Sequence, residues 1–454
     1  MNAPDGIVRP ASDDAAAVVN VTDLIDQSRI GALQISVFVL CALVALLDGV
    51  DTQSIGVAAP FIADNLGIKM TSFGPIFSAA LFGAMLGALC FGPLADRFGR
   101  KLMLVIATII FAIFTFATAH AGSVGVLMGC RFVAGVGLGG ATPCFIALTS
   151  EYAPARARAM IITMQWAAFP LGGMLGGLLN SYVVAAFGWR ALFHLGGIAP
   201  LLIAALLAWK LPESLRFLLT RRPDATARIA RITRAFSGHA LPAGARITSS
   251  EEKITGLSVV HLFTERRALG TVLLWVPFLM GFGTLAVVTL WTPALLRQHG
   301  IAASSTAFVV AFNGLGAVFG QGSAGRLIER FGVVPILVPA FILSAVCTAA
   351  LGYSTASVPW AATFVGLVGL FAGLGTAGAI ALAAMAYPTA IRSTGVGWAM
   401  GMGRFGQTLF PLFSGIMLGA GWGPEAMLNV VGASGIIAAL FIVLLRLRMR
   451  RMQG

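Results

Sequence analysis

Long runs of apolar residues, separated by short polar segments, occupy most of the chain. A window of about 20 residues, the length of a membrane-spanning helix, marks twelve of them. Six lie near residues 34–62, 73–94, 102–121, 123–149, 159–187 and 191–211, and six near 269–296, 304–328, 333–353, 359–386, 394–420 and 426–446. This pattern predicts an all-α membrane protein with twelve transmembrane helices in two six-helix halves.

The composition excludes a soluble fold. The 454 residues are 58% hydrophobic and only 10% charged, whereas a soluble globular chain is about 25% charged. The net charge of +13 does not indicate nucleic-acid binding, because the basic residues form short clusters between apolar runs. That arrangement is typical of loops that face anionic lipid. The five cysteines show neither a disulfide framework nor metal-ligand spacing.

Lysine and arginine predict the orientation. If both termini are cytoplasmic, the inner segments hold 25 basic residues and the outer loops only three, namely Lys69, Arg190 and Arg297. This asymmetry favours cytoplasmic termini. The predicted units are an N-terminal tail (1–33), a first half (34–211), a central cytoplasmic loop (212–267), a second half (268–446) and a C-terminal tail (447–454).

Two polar motifs occur once in each half. Gly92–Lys101 follows the second run and is echoed by 322–332 after the eighth, while 152–158 after the fourth is echoed by 387–392 after the tenth. Corresponding positions lie 233 or 234 residues apart. The repeats predict two pseudo-symmetric halves with a substrate site near the membrane midplane. Between 221 and 234, arginines alternate with apolar residues, which favours an amphipathic interfacial helix; a regulatory contact is the alternative.

Two carboxylates interrupt the first apolar run. Asp48 and Asp51 lie near its centre, where a charge costs roughly 2.5–3.5 kcal/mol on insertion scales. With Thr52 they should share one helix face, and two close carboxylates in a low dielectric cannot easily both stay ionised. The pair is therefore predicted to carry coupling protons, and which aspartate does so stays open. Helix capping near Gly49 or a salt bridge with Arg131 is the structural alternative.

Two cations lie well inside the predicted spans, away from the span ends: Arg131 in the fourth and Arg404 in the eleventh. A guanidinium binds a carboxylate through two parallel hydrogen bonds. One arginine can therefore receive a substrate carboxylate while the other balances an aspartate, although purely structural pairing is possible for both. Further candidates for substrate binding, with helix–helix hydrogen bonding as the alternative, are Gln165, Trp166, Asn313 and Gln321.

The sequence Gly92–Lys101 (GPLADRFGRK) strongly resembles the signature between helices 2 and 3 of the major facilitator superfamily, and the resemblance covers essentially the whole chain. It implies a cytoplasmic gate in which Asp96, Arg97 and Arg100 pair with neighbouring charges and part as the protein opens inward. A simple turn with basic anchors is the alternative.

Asp48–Pro60 (DGVDTQSIGVAAP) is similar to the first-helix signature of the aromatic acid:proton symporters within that superfamily. Val50 departs from the family, which usually has Phe or Tyr at this position.

The resemblance implies a secondary transporter, not an enzyme, that imports a small aromatic carboxylate such as a hydroxybenzoate by proton symport and alternating access. We expect a monomer in a bacterial-type cytoplasmic (inner) membrane. Its partners should be the lipid bilayer, the aromatic anion and protons, with no metal, nucleic acid or cofactor other than the coupling proton. The alternatives are a proton-coupled porter of another organic acid or a sugar, a proton-antiport drug exporter, and a non-transporting receptor with a transporter fold.

Overall fold

Long helices carry the apolar runs in the computed structural model, which describes residues 18–28, 30–221, 229, 232, 246–248, 262–264, 267–387 and 392–453. The first part of the chain forms β1 (Val18–Asn20), α1 (Val21–Gln27), α2 (Ala32–Leu66), α3 (Phe73–Phe98), α4 (Arg100–Thr118), α5 (Val124–Tyr152), α6 (Ala155–Phe187), α7 (Trp189–Lys210) and α8 (Leu215–Arg221). The second part forms β2 (Arg246–Thr248), α9 (Ala268–Gln298), α10 (Ala303–Phe331), α11 (Val333–Gly352), α12 (Val358–Ala386), α13 (Arg392–Gly419) and α14 (Pro424–Gln453). The predicted interfacial helix falls mostly outside the described residues.

Helices α2–α7 and α9–α14 correspond to the twelve predicted spans. Within the described residues, eleven of these helices are long and apolar enough to cross a membrane. The twelfth, α13, is 28 residues long but is interrupted by glycines and by Arg404. It packs against α3 and α9, so the surrounding protein shields the more polar residues of this helix. The last helix, α14, continues to Gln453, past the predicted end of the span at 446.

The same helix pairings recur in both halves. In the first half, α2 packs on α6, α3 on α5, and α4 on α7. The corresponding pairs in the second half are α9 with α13, α10 with α12, and α11 with α14. The all-α architecture of two pseudo-symmetric six-helix halves is therefore confirmed.

The halves meet through α6–α10, α3–α13 and α2–α9. We call the end of the bundle where α2 begins the tail side, and the end where α2 finishes the distal side. Small residues allow close contact between the halves: a Cβ added to Gly177 would lie 2.8 Å from the Ala311 Cβ, and one added to Gly74 would lie 3.1 Å from the Gly415 Cα.

The two halves are closed on the distal side. There, the Ser78 hydroxyl donates to the Thr408 carbonyl oxygen at 2.7 Å, and the Phe77 and Trp291 rings meet edge to face at 5.5 Å. On the tail side, by contrast, a Cβ added to Gly92 of α3 or to Gly401 of α13 would meet no atom within 4 Å. The contacts named here between α3 and α13 therefore lie on the distal side.

Gly49 brings α2 and α6 together between the two aspartates. A Cβ at this position would collide with the Phe169 carbonyl oxygen and lie 2.8 Å from the Gly173 nitrogen. Neither backbone atom can move without shifting α6. The packing of α2 against α6 therefore requires the glycine of the Asp-Gly-Val-Asp motif. This contact also fixes the position of the two aspartates along α6.

We expect Gly49→Ala to destabilise the protein by about 1–3 kcal/mol, the usual cost of overpacking. Gly92→Ala is the matched control, because Gly92 also lies inside a helix but has open space around it. Thermal unfolding of both variants in detergent would measure the difference. Equal unfolding temperatures for Gly49→Ala and the wild type would contradict the close α2–α6 contact.

Candidate functional site

A bidentate ion pair lies inside the first half. The Nη1 and Nη2 atoms of Arg131 donate to Oδ1 and Oδ2 of Asp51 at 3.0 and 2.5 Å. Each residue is only 2% exposed, and the Thr115 hydroxyl donates to Asp51 Oδ1 at 3.3 Å. The pair thus joins α2 to α5, with a third contact from α4. The predicted structural alternative, a salt bridge between Arg131 and one aspartate, is present.

The remaining surroundings of Arg131 are largely apolar. Its Cζ lies 6.0 Å from the centre of the Phe193 ring, and its buried Nε has no hydrogen-bond partner. Both terminal nitrogens already bind Asp51. In this conformation, therefore, Asp51 binds both terminal nitrogens of Arg131, while the Nε of Arg131 keeps an unused donor.

Asp48 has a different environment from Asp51. It is partly exposed, and among the described residues its hydrogen-bond partner is the Thr52 hydroxyl, at a long 3.5 Å. Residues three apart on a helix diverge by about 60° around its axis. Asp51 bonds to Arg131 and Thr115, whereas Asp48 bonds to Thr52, so the two aspartates have different partners although they lie only three residues apart on α2.

Arg404, the other predicted cation, belongs to the second half of the chain. It lies on α13, is partly buried, and its Nη1 donates to Gln407 Oε1 at 3.4 Å. Arg404 forms no ion pair within 4.0 Å with any acid among the described residues.

The four other predicted substrate contacts lie on α6 and α10, which pack against each other across the two halves. Gln165 is 4% exposed and neither of its amide atoms has a partner; Asn313 is 5% exposed and its Nδ2 is unpartnered. Trp166 and Gln321 are partly buried. The alternative, hydrogen bonding between helices, is thus not observed for Gln165 or for the Asn313 nitrogen.

Further polar groups in this region were not predicted from the sequence. Gln53 on α2 is 2% exposed and its Nε2 has no partner. Ser54 and Asn180 bond to each other between α2 and α6, with the Asn180 amide donating to the Ser54 hydroxyl at 3.2 Å. The sequence offered a signal for Gln53 and Ser54, because these polar residues follow Asp51 within the same apolar run.

A second charged network lies at the tail side. Arg100 pairs with Asp96 at 3.3 Å and also with Glu151. Glu151 Oε2 accepts from the Ser214 hydroxyl at 2.6 Å, and Glu213 Oε1 accepts from the Lys101 backbone nitrogen at 2.9 Å. The network joins the α3–α4 turn to the end of α5 and to the segment before α8.

The predicted gate residues differ in how they use this network. Asp96 and Arg100 belong to it, whereas Arg97 is exposed and places its guanidinium 5.3 Å from the Phe98 ring centre. Glu151 and Glu213 were not predicted as site residues, although both lie within polar stretches next to predicted spans.

Comparison with known proteins gives one family. The sequence profile of the Major Facilitator Superfamily matches residues 41–321 and 273–453. Among solved structures, the chain is similar to the inward-open conformation of the xylose transporter XylE from Escherichia coli, with a TM-score of 0.70 and 20% identity over 90% of this chain and 95% of that one.

The curated relatives are more similar in sequence. The 4-hydroxybenzoate transporter PcaK of Pseudomonas putida is 34% identical over 95% of this chain and 97% of its own length. A gallate transporter, also of Pseudomonas putida, is 35% identical over 94% of this chain and 95% of its own length. Both are therefore full-length relatives.

The buried ion pair between Asp51 and Arg131 leads to a prediction about the free energy of unfolding. Asp51→Ala leaves the Arg131 guanidinium buried without a counter-ion, which should cost about 3–5 kcal/mol. The double variant Asp51→Ala/Arg131→Met removes both charges and should recover most of that loss. Thermal unfolding in detergent tests this, and a double variant no more stable than Asp51→Ala would contradict it.

Proposed function

Because the chain belongs to the major facilitator superfamily and is therefore a transporter rather than an enzyme, we propose that it imports a small aromatic carboxylate, such as a hydroxybenzoate, together with protons. Support for the coupling comes above all from one observation: the partly exposed Asp48, with only a long hydrogen bond to Thr52 among the described residues, lies three residues from the buried Asp51–Arg131 pair. Ionisable groups inside a membrane protein usually belong to substrate or proton pathways. Asp48 and Asp51 form the coupling region in this proposal.

The substrate class is inferred from relatives and from chemistry. The curated relatives include transporters of 4-hydroxybenzoate and of gallate, both hydroxylated aromatic acids. A guanidinium is suited to the carboxylate of such a substrate. The unpartnered amides of Gln165 and Asn313 are suited to a ring hydroxyl, and Trp166 and Gln321 are proposed to complete the site.

Energetics favour symport. A monoanion that enters an inside-negative cell works against about 2.3 kcal/mol for each 100 mV of membrane potential. One co-transported proton cancels the charge, so that the pH gradient can drive uptake. No cofactor is required other than the proton.

Alternating access would move the two halves about the midplane. The contacts between α3 and α13 that the structure shows lie on the distal side, and we infer that the tail side is the open one. With the tail side assigned to the cytoplasm on the basis of its basic residues, this is an inward-facing state. Asp96 and Arg100, with Glu151 as partner, are proposed to gate that side. The gating role of Arg97 stays a prediction.

We place the protein, as a monomer, in a bacterial-type cytoplasmic membrane with both termini inside.

Uptake of labelled 4-hydroxybenzoate in cells that express the protein should collapse when a protonophore is added. Asp51→Asn should abolish this uptake, because the bidentate partner of Arg131 is lost, while membrane insertion is retained. Asp64→Asn is the matched control: it alters an exposed acid on the same helix and should transport normally. An uptake rate that is unchanged by the protonophore would refute proton symport. Normal uptake by Asp51→Asn would show that Asp51 is not needed for transport.

A further inference from the structure

Two histidines meet at the distal side of the first half. His120 follows the last turn of α4, and His194 lies in the second turn of α7. Their ring centres are 5.1 Å apart, and the ring planes are tilted by 46°. His120 is exposed and His194 is partly buried. Two helices that pack against each other therefore each bring one imidazole to the same point of the surface.

The nitrogens of these two rings have no partners in the protein. Among the described residues, neither His120 nor His194 donates or accepts a side-chain hydrogen bond or forms an ion pair. His299, at the distal end of α9, differs in this respect, because its Nδ1 bonds to the Leu295 carbonyl oxygen at 3.1 Å. A neutral imidazole carries one nitrogen with a free lone pair, so the pair offers two such nitrogens.

Phe116 holds the two rings in this arrangement. Its ring centre lies 5.5 Å from that of His120 and 4.9 Å from that of His194. Phe116 also packs tightly on α7, since a Cβ added to Gly197 would lie 2.5 Å from the Phe116 Cβ. The histidines are thus positioned before any ligand arrives, which lowers the entropic cost of binding.

The spacing of the rings suits a shared metal ion. Imidazole nitrogens bind Zn²⁺ at about 2.0–2.1 Å in a tetrahedral geometry, which places the centres of two rings on one ion about 5 Å apart. The observed distance of 5.1 Å agrees with this value. Imidazole suits Zn²⁺, Ni²⁺ and Cu²⁺, whereas Mg²⁺ and Ca²⁺ prefer oxygen ligands. The class of ligand is therefore a divalent transition-metal ion.

The nearby charges permit a cation here. His120 adjoins the C-terminal end of α4, where the helix dipole favours positive charge. The arginine nearest in sequence on α7 is Arg190, one turn before His194. Its Nη2 donates to Asn65 Oδ1 of α2 at 2.9 Å, and its Cζ lies 4.6 Å from the Trp189 ring centre. Arg190 is thus held by partners of its own.

We propose that His120 and His194 bind one divalent transition-metal ion, which bridges α4 and α7 at the distal side. Each neutral imidazole donates one nitrogen lone pair, and the ion keeps its oxidation state. Within the described part of the chain, no group of three His, Cys, Asp or Glu residues could hold a metal ion. Water therefore fills the remaining positions, and the ion exchanges with the solution on the distal side. The site does not depend on the proposed transport function.

A bridge at this point should stabilise the first half. Thr115, directly before Phe116, donates to the buried Asp51, and Phe193, directly before His194, places its ring 6.0 Å from the Arg131 Cζ. The contact between α4 and α7 therefore supports the buried ion pair on one side and carries the two histidines on the other. An ion that binds the folded protein should raise its unfolding temperature.

The test uses full-length protein without a polyhistidine tag, in lipid nanodiscs, with Zn²⁺ as the probe and Mg²⁺ as the comparison ion. Zn²⁺, but not Mg²⁺, should raise the unfolding temperature of the wild type. His120→Phe and His194→Phe should each weaken Zn²⁺ binding by about 100-fold, because the second bond of a chelate is intramolecular. Phenylalanine retains the ring contact with Phe116, so the unfolding temperature without metal should stay the same.

His299→Ala is the matched control. It removes another exposed histidine of the distal side and should leave Zn²⁺ binding unchanged. His239 and His261 lie outside the described residues and remain in every variant, so they cancel in the comparison. Titration calorimetry should give one Zn²⁺ site more in the wild type than in His194→Phe.

Three results would overturn the inference: equal Zn²⁺ affinity of the wild type and His194→Phe, an unfolding temperature of the wild type that Zn²⁺ does not change, or loss of the site in His299→Ala. If a phenylalanine variant does not fold, His120→Gln decides the question, since it removes the imidazole at an exposed position. None of these measurements uses transport, so failure of the proposed substrate would leave the result unaffected.

Discussion

The cost of a charge in a low-dielectric interior governs the arrangement of this protein. The Asp51–Arg131 pair meets that cost in the first half, where a bidentate geometry and the Thr115 hydroxyl satisfy the carboxylate. A paired charge of this kind is hard to disturb, because loss of either partner leaves the other buried alone. The pair therefore holds α2 against α5, whereas Asp48 and Arg404 form no ion pair within 4.0 Å among the described residues.

Close packing of helices positions these charges. Gly49 allows α2 to lie against the backbone of α6, and Gly177 allows α6 to lie against α10 of the other half. Membrane helices associate largely through such small-residue contacts, since lipid supplies no hydrophobic drive between them. These contacts fix α2 against α6 within the first half and α6 against α10 between the halves.

The tail-side network connects the ends of several helices of the first half. Arg100 links Asp96 to Glu151, and Ser214 and Glu213 extend the connection to the segment before α8. The glutamates accept hydrogen bonds from groups on different helices, so the α3–α4 turn, the end of α5 and the start of α8 are held together. Arg97, only three residues before Arg100, is not part of this network.

The sequence by itself determined the helices, their grouping into halves and the short set of charges within the membrane, because hydropathy and helix length are local properties. It could not decide which charges pair. Asp48 and Asp51 are three residues apart, yet a rotation of about 60° gives Asp51 a partner 80 residues away and leaves Asp48 with a long hydrogen bond to Thr52 on its own helix. Gln53, Asn180, Glu151 and Glu213 escaped prediction for the same reason: a polar residue in or beside an apolar run gains its role from the helix it faces. Only the tertiary structure decides that, since the depth and rotation of each helix are set by backbone contacts such as Gly49 against Phe169.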